Sequence, residues 1–234
     1  MTPARRDGDL VRDPRAAIAT AVGMIGVVAL LTVVVSINRA SPPVLQGFDD
    51  AWRARVLAWP DRTLRLGDIF ETLGAGIVMV PFRVAVAAWL AFRRRRWDLA
   101  AWLLGWIVAD VISAAMKPGI ARERPTATEP GNPFTSFPSA HAKTAAQVAI
   151  GLVLVASSPW RTRGRWYGAA ITWIVLMAVS RTVVDHHWLS DVVAGSLLGA
   201  GAALLTAAAV QRIRDARGSD AVVPRDTQPP AASR

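Results

Sequence analysis

Residues 180–191 read SRTVVDHHWLSD, and this polar corner separates two apolar runs, approximately Trp166–Val184 and Trp188–Val210. Each run is close to the roughly 20 residues that an α-helix needs to cross a bilayer core of about 30 Å. Working outward, four more runs have the same character: Ala16–Asn38, Leu73–Phe92, Trp97–Met116 and His141–Ser157. The chain is 53% hydrophobic, high for a domain dissolved in water, so the expected fold is all-α, a bundle of six transmembrane helices. The first run carries no charge and is longer than the apolar core of a cleaved signal, which predicts a retained helix.

Arginines fix the expected orientation, because short cytoplasmic loops are enriched in Lys and Arg. Arg5, Arg6, Arg12 and Arg15 precede the first run, and Arg93–Arg96 fill one tight loop. Arg161, Arg163 and Arg165 fill another, and Arg212, Arg214 and Arg217 follow the last run. With six spans all these clusters fall on one face. That reading puts a multi-pass protein in the cell inner (plasma) membrane with both termini cytoplasmic. The net charge of +10 then reads as topology signal and headgroup contact rather than as a nucleic-acid surface, for which no motif is present. The absence of cysteine removes disulfides, thiolate metal sites and thiol nucleophiles. The expected organisation is a membrane domain over 16–210 between tails at 1–15 and 211–234, whose Arg, Asp, Pro and Ala content predicts disorder.

Two outer loops differ in kind. Residues 39–72 place Phe48, Trp52, Val56 and Trp59 at helical spacing, which predicts a loop helix ended by Pro60, lying in the outer interface or packed on the bundle. Residues 117–140 read KPGIARERPTATEPGNPFTSFPSA, too rich in proline for continuous helix. This loop carries Lys117, Arg122 and Arg124 on the face where topology disfavours them.

With the spans folded back on one another, the unusual polar residues meet at this outer face. Lys117, Arg122, Arg124 and Arg181, with Ser139 and the start of the fourth span, can hold a phosphate dianion through guanidinium forks and free backbone N–H groups. Ser139 fits either that role or a helix N-cap. His141 and His187, from different spans, can serve as nucleophile and general acid in phosphoryl transfer. Asp191 lies one helical turn after His187 and can orient its ring, whereas the residue four after His186 is Ser190. The surrounding cations disfavour a bound divalent metal, and the scheme uses no cofactor. Arg83 and Asp110 lie about ten and six positions below the outer face, a difference of roughly 6 Å at 1.5 Å per residue. They are expected to pair between helices, since either alone would cost roughly 3 kcal/mol.

Three blocks, KPGIARERP at 117–125, PSAH at 138–141 and SRTVVDHHWLSD at 180–191, together resemble the signature of the type 2 phosphatidic acid phosphatase superfamily. The resemblance runs from about Leu73 to Leu204. It implies a six-helix bundle whose active site opens at the outer membrane face, toward the periplasm or exterior. It further implies His187 as nucleophile, Asp191 as its orienting carboxylate, His141 as acid and base, and Lys117, Arg124, Ser139 and Arg181 as phosphate ligands. The second block has Ala140 where the family has glycine; its N–H remains available to phosphate, and its methyl narrows the pocket. The implied partners are the bilayer and a lipid phosphate substrate, with undecaprenyl diphosphate, phosphatidylglycerol phosphate and phosphatidic acid all compatible. The implied reaction is metal-independent hydrolysis through a phosphohistidine. A lipid phosphotransferase using the same intermediate, and a non-catalytic lipid or anion transporter, are the alternatives.

Overall fold

A computed structural model describes residues 9–37, 45–60, 62–126, 135–156 and 160–220. Among them there is no β-strand, and the chain forms eight helices. They are α1 (Pro14–Ile37), α2 (Gln46–Leu57), α3 (Arg62–Gly74), α4 (Gly76–Phe92), α5 (Arg96–Ile120), α6 (Ala140–Val155), α7 (Trp160–Val183) and α8 (Leu189–Asp220).

Four of these, α1, α5, α7 and α8, are long and apolar enough to cross a membrane. A fifth span results if α3 and α4, bent by 49° at Ala75, are taken together. This differs from the six uniform spans expected. The second run is broken in the sequence Gly74-Ala75-Gly76, and α6, at 16 residues, is shorter than the usual crossing length. Large apolar side chains on the outer surfaces, Leu30, Ile77, Val111 and Ile171 among them, point away from the bundle. Lipid is the solvent that suits such a surface.

α8 is the central helix, packed on α1, α5 and α6. It is rich in Gly and Ala, and a Cβ at Gly199 would lie 2.0 Å from the Lys143 carbonyl oxygen of α6, one at Gly195 2.4 Å from that of Ser139. No other residue permits this approach, the small-residue contact by which membrane helices pack closely. It seats the start of α6 directly against the start of α8. Next to this contact Trp102, Val148, Leu154 and Ala203 form part of the main apolar core.

The boundaries move where polar residues find partners. α8 continues to Asp220, beyond Val210, and Gln211 both accepts from Val11 N–H (2.8 Å) and donates to its carbonyl (3.2 Å). Residues 9–13 and 211–220 therefore belong to the folded body, although the expected tails include them. The rest of those tails, 1–8 and 221–234, lies outside the described residues. α7 begins at Trp160, so Arg163 and Arg165 sit on its first turns rather than in a loop. α2 ends before Pro60 as expected. It turns Asp49 and Val56 into the bundle while Phe48 and Trp59 face away.

Candidate functional site

The corner between α7 and α8 is built by local backbone chemistry. Asp185 adopts φ 55°, a left-handed conformation that Asp tolerates better than most residues. Its carboxylate accepts two hydrogen bonds from Arg53 of α2, at 2.7 and 2.6 Å, and another from Thr126. The Arg181 carbonyl then accepts from the N–H groups of both His186 (3.2 Å) and His187 (3.3 Å). So pinned, the corner turns the two imidazoles toward different partners.

His187 is buried, 5% exposed. Its Nδ1 stands 3.5 Å from Asp191 Oδ2, the long end of hydrogen-bonding distance, and has no shorter partner among the described residues. Burial, the largest influence, holds the imidazole below its ordinary pKa, aided by Arg124 and Arg181 and opposed by Asp191. The ring is thereby kept neutral, the form in which it is a nucleophile. Asp191 is fully buried. Its Oδ1 accepts from Arg122 at 2.6 Å and its Oδ2 from the Trp188 N–H at 3.0 Å.

The second block approaches from α6. Ser139 stands at its N-cap position but does not cap it with its side chain; its backbone N–H donates to the Asp191 carbonyl (3.1 Å), and its buried Oγ has no partner among the described residues. Ala140 opens α6 and is exposed, where the N–H groups of a first helical turn have no intrahelical acceptor. His141 follows, with Arg181, Glu71 and the His187 ring as its titratable neighbours, and its Nε2 is also buried without a partner among the described residues. Gly74 makes room for that ring, since a Cβ there would lie 2.6 Å from His141 Cδ2.

Cations complete the cluster. α5 extends past Lys117 to Ile120, and the Lys117 Nζ donates to the Thr135 carbonyl at 3.3 Å. It lies within electrostatic reach of Arg124 and Asp191. Arg124 donates to the His186 carbonyl at 3.4 Å and keeps a buried Nε without a partner among the described residues. Arg181, 1% exposed, places Nη2 2.6 Å from His186 Nδ1 and 3.6 Å from Glu71, while its Nε and Nη1 have no hydrogen-bond partner among the described residues. Lys117, Arg124, Ser139, Ala140, His141, Arg181, His187 and Asp191 are thus brought to one end of the bundle. An unsatisfied buried donor costs about 1–3 kcal/mol, more for a charged one. Several of them on neighbouring residues at one end of the bundle are chemically suited to an anion with several oxygens.

Arg122 leaves the expected cation cluster, and Asp49, Glu71 and Lys143 were not among the sequence candidates. Arg122, adjacent to the phosphate-side cations in sequence, turns instead to Asp191 and Asp49. Asp49 and Glu71 come from helices that carry none of the three blocks. Lys143, one turn into α6, pairs with Asp110. The expected Arg83–Asp110 contact is present, Nη1 to Oδ2 at 3.3 Å. Asp110 also accepts from Trp106 at 2.7 Å.

The fold and the site define a multi-pass helical membrane protein with two histidines amid a buried cationic cluster at one end of its bundle. Residues 100–215 match the PAP2 superfamily, the family whose signature the three blocks resemble. Phosphatidylglycerophosphatase B of Bacillus subtilis (strain 168) is 31% identical over 132 residues, covering 54% of this chain and 65% of that protein. The crystal structure of a transmembrane PAP2 type phosphatidylglycerolphosphate phosphatase from Bacillus subtilis superposes with a TM-score of 0.66 at 24% identity. It covers 88% of this chain and 98% of its own, a likeness of fold.

Proposed function

We propose that the protein is an integral-membrane lipid phosphate phosphatase that works through a phosphohistidine. The observation that carries this reading is that Arg124 Nε, Arg181 Nε and Nη1, Ser139 Oγ and His141 Nε2 are all buried without hydrogen-bond partners among the described residues, on residues that neighbour the His187–Asp191 pair. In this scheme the phosphate sits among Lys117, Arg124, Arg181, Ser139 and the Ala140 N–H, and the lipid chain stays between helices in the outer leaflet. The Nε2 of neutral His187 attacks phosphorus in line, forming the P–N bond as the P–O bond to the lipid breaks. His141 gives its proton to the departing lipid oxygen. It then takes a proton from water, whose oxygen attacks phosphorus and breaks the P–N bond, releasing inorganic phosphate. Asp191 holds Nδ1–H of His187, which leaves Nε2 for attack.

In the same reading the bent α3–α4 pair and the short α6 count as spans, six in all, with the site at the outer face. α6 is short because its first turn belongs to the site. Similarity to a phosphatidylglycerophosphatase favours a phosphomonoester of a glycerolipid as substrate. The test is phosphate release by purified protein from phosphatidylglycerol phosphate, phosphatidic acid and undecaprenyl diphosphate, with and without EDTA. The account expects turnover of at least one lipid, unaffected by EDTA and inhibited by vanadate. Complete loss on chelation with recovery by a divalent ion would overturn it.

A further inference from the structure

Resting on the assignment of His187 as nucleophile, we infer that Asp49 and Arg122 are positioning residues: Arg122 holds Asp191 Oδ1 while Oδ2 faces His187, and Asp49 sets how strongly Arg122 pulls. The Arg122 guanidinium is shared, Nη1 donating to Asp191 Oδ1 at 2.6 Å and Nη2 to Asp49 Oδ2 at 2.7 Å. Ser190 closes the network. Its N–H donates to Asp49 Oδ1 (2.9 Å) and its hydroxyl to Asp49 Oδ2 (2.6 Å), while its oxygen accepts from Arg122 Nη1 (2.7 Å). The side chains of Arg122, Asp49 and Asp191 are 8%, 2% and 0% exposed, and Arg122 also lies over the Trp188 ring at 5.5 Å.

Charge counting explains why the network reaches the reaction. Two buried carboxylates share one guanidinium, so the hold of Arg122 on Asp191 depends on how much of its charge Asp49 takes. Asp191 divides its oxygens, Oδ1 to Arg122 and Oδ2 toward His187 Nδ1. Removing Asp49 concentrates the guanidinium on Asp191 and weakens the support for a charged His187. Removing Arg122 frees Asp191 and strengthens it. Fastening a loop helix needs no such arrangement, because buried ion pairs contribute little net stability over apolar packing. The other charged neighbours of His187, namely Arg124 of the loop, Arg181 of α7 and His141 of α6, are the same in either variant, as is Glu71 of α3 beside His141.

The chain has three histidines, so NMR of the full-length protein with labelled histidine, assigned by His141→Asn and His186→Asn, follows each ring. Asp49→Asn is expected to lower the titration midpoint of His187 and Arg122→Gln to raise it. Each should reduce kcat on the order of 10²-fold, the scale of a misplaced reacting group, with KM changed less than about threefold; Asp49→Glu should recover part of kcat. Unchanged midpoints with kcat within about twofold would overturn the assignment. So would a shift of both variants to the ordinary histidine value near 6.5, the mark of local unfolding. Failure of the phosphatase reading looks different: the unaltered protein releases phosphate from no lipid, or His187→Ala releases it as well as the unaltered protein. The opposed midpoint shifts then still decide whether Asp49 and Arg122 govern Asp191.

Discussion

His186 and His187 are neighbours in sequence, yet the corner gives Nδ1 of one to Arg181 at 2.6 Å and Nδ1 of the other to Asp191 at 3.5 Å. The spacing of His187 and Asp191 was legible because one helical turn brings i and i+4 together. The Arg181–His186 contact was not, since it depends on the left-handed turn at Asp185, which nothing in a lone Asp announces. Asp49 and Glu71 were invisible for a related reason: they reach the site from helices outside the three blocks. Burial holds His187 below its ordinary pKa, and a consequence can be measured. The neutral, attacking ring persists into more acid solution, so the acid limb of kcat/KM should fall below about pH 6.5. A limb that lies above 6.5 and coincides with the titration of His187 followed by NMR would contradict the burial argument. The same depressed value means that the unfolded chain takes up its proton first. Folding stability from this group is therefore lost as pH falls through about 6.5 toward the lower folded value.

At the scale of helices, hydropathy located the apolar runs but not the break at Ala75, because a run of Gly74-Ala75-Gly76 remains apolar while it interrupts the helix. It also left Lys143 unremarked, one charge inside an otherwise apolar segment. That lysine changes the expected behaviour of Arg83 and Asp110. Asp110 serves two cations, Arg83 of α4 and Lys143 of α6, and Arg83 further lies 5.0 Å over the Trp106 ring. Exchanging Arg83 and Asp110 would place the new arginine against Lys143, so the exchange should not restore stability. A cycle of Arg83→Met and Asp110→Asn, scored by thermal unfolding in detergent, should show a coupling of about 0.5–3 kcal/mol. Adding Lys143→Met should make the exchange tolerable. Strictly additive losses would leave the three-helix tie without energetic meaning.

Across the whole molecule, the bundle returns the third block, which follows the second by way of α6 and α7, to the same end as the first two, and the arginine clusters predict which side of the membrane that end faces. The chain has no cysteine, so single cysteines at exposed Glu123 and Arg94 report without background. A probe that cannot cross membranes should label position 123 in intact cells and spare position 94; the reverse would invert the topology. The central claim is narrower, that His187 bonds covalently to the phosphate of a lipid. It is tested most directly by quenching the protein with a lipid whose phosphate is radiolabelled and assaying acid-labile, base-stable phosphoprotein in three forms. The account predicts label on the unaltered chain and on His186→Ala, and none on His187→Ala. Label on His187→Ala with none on His186→Ala would contradict it.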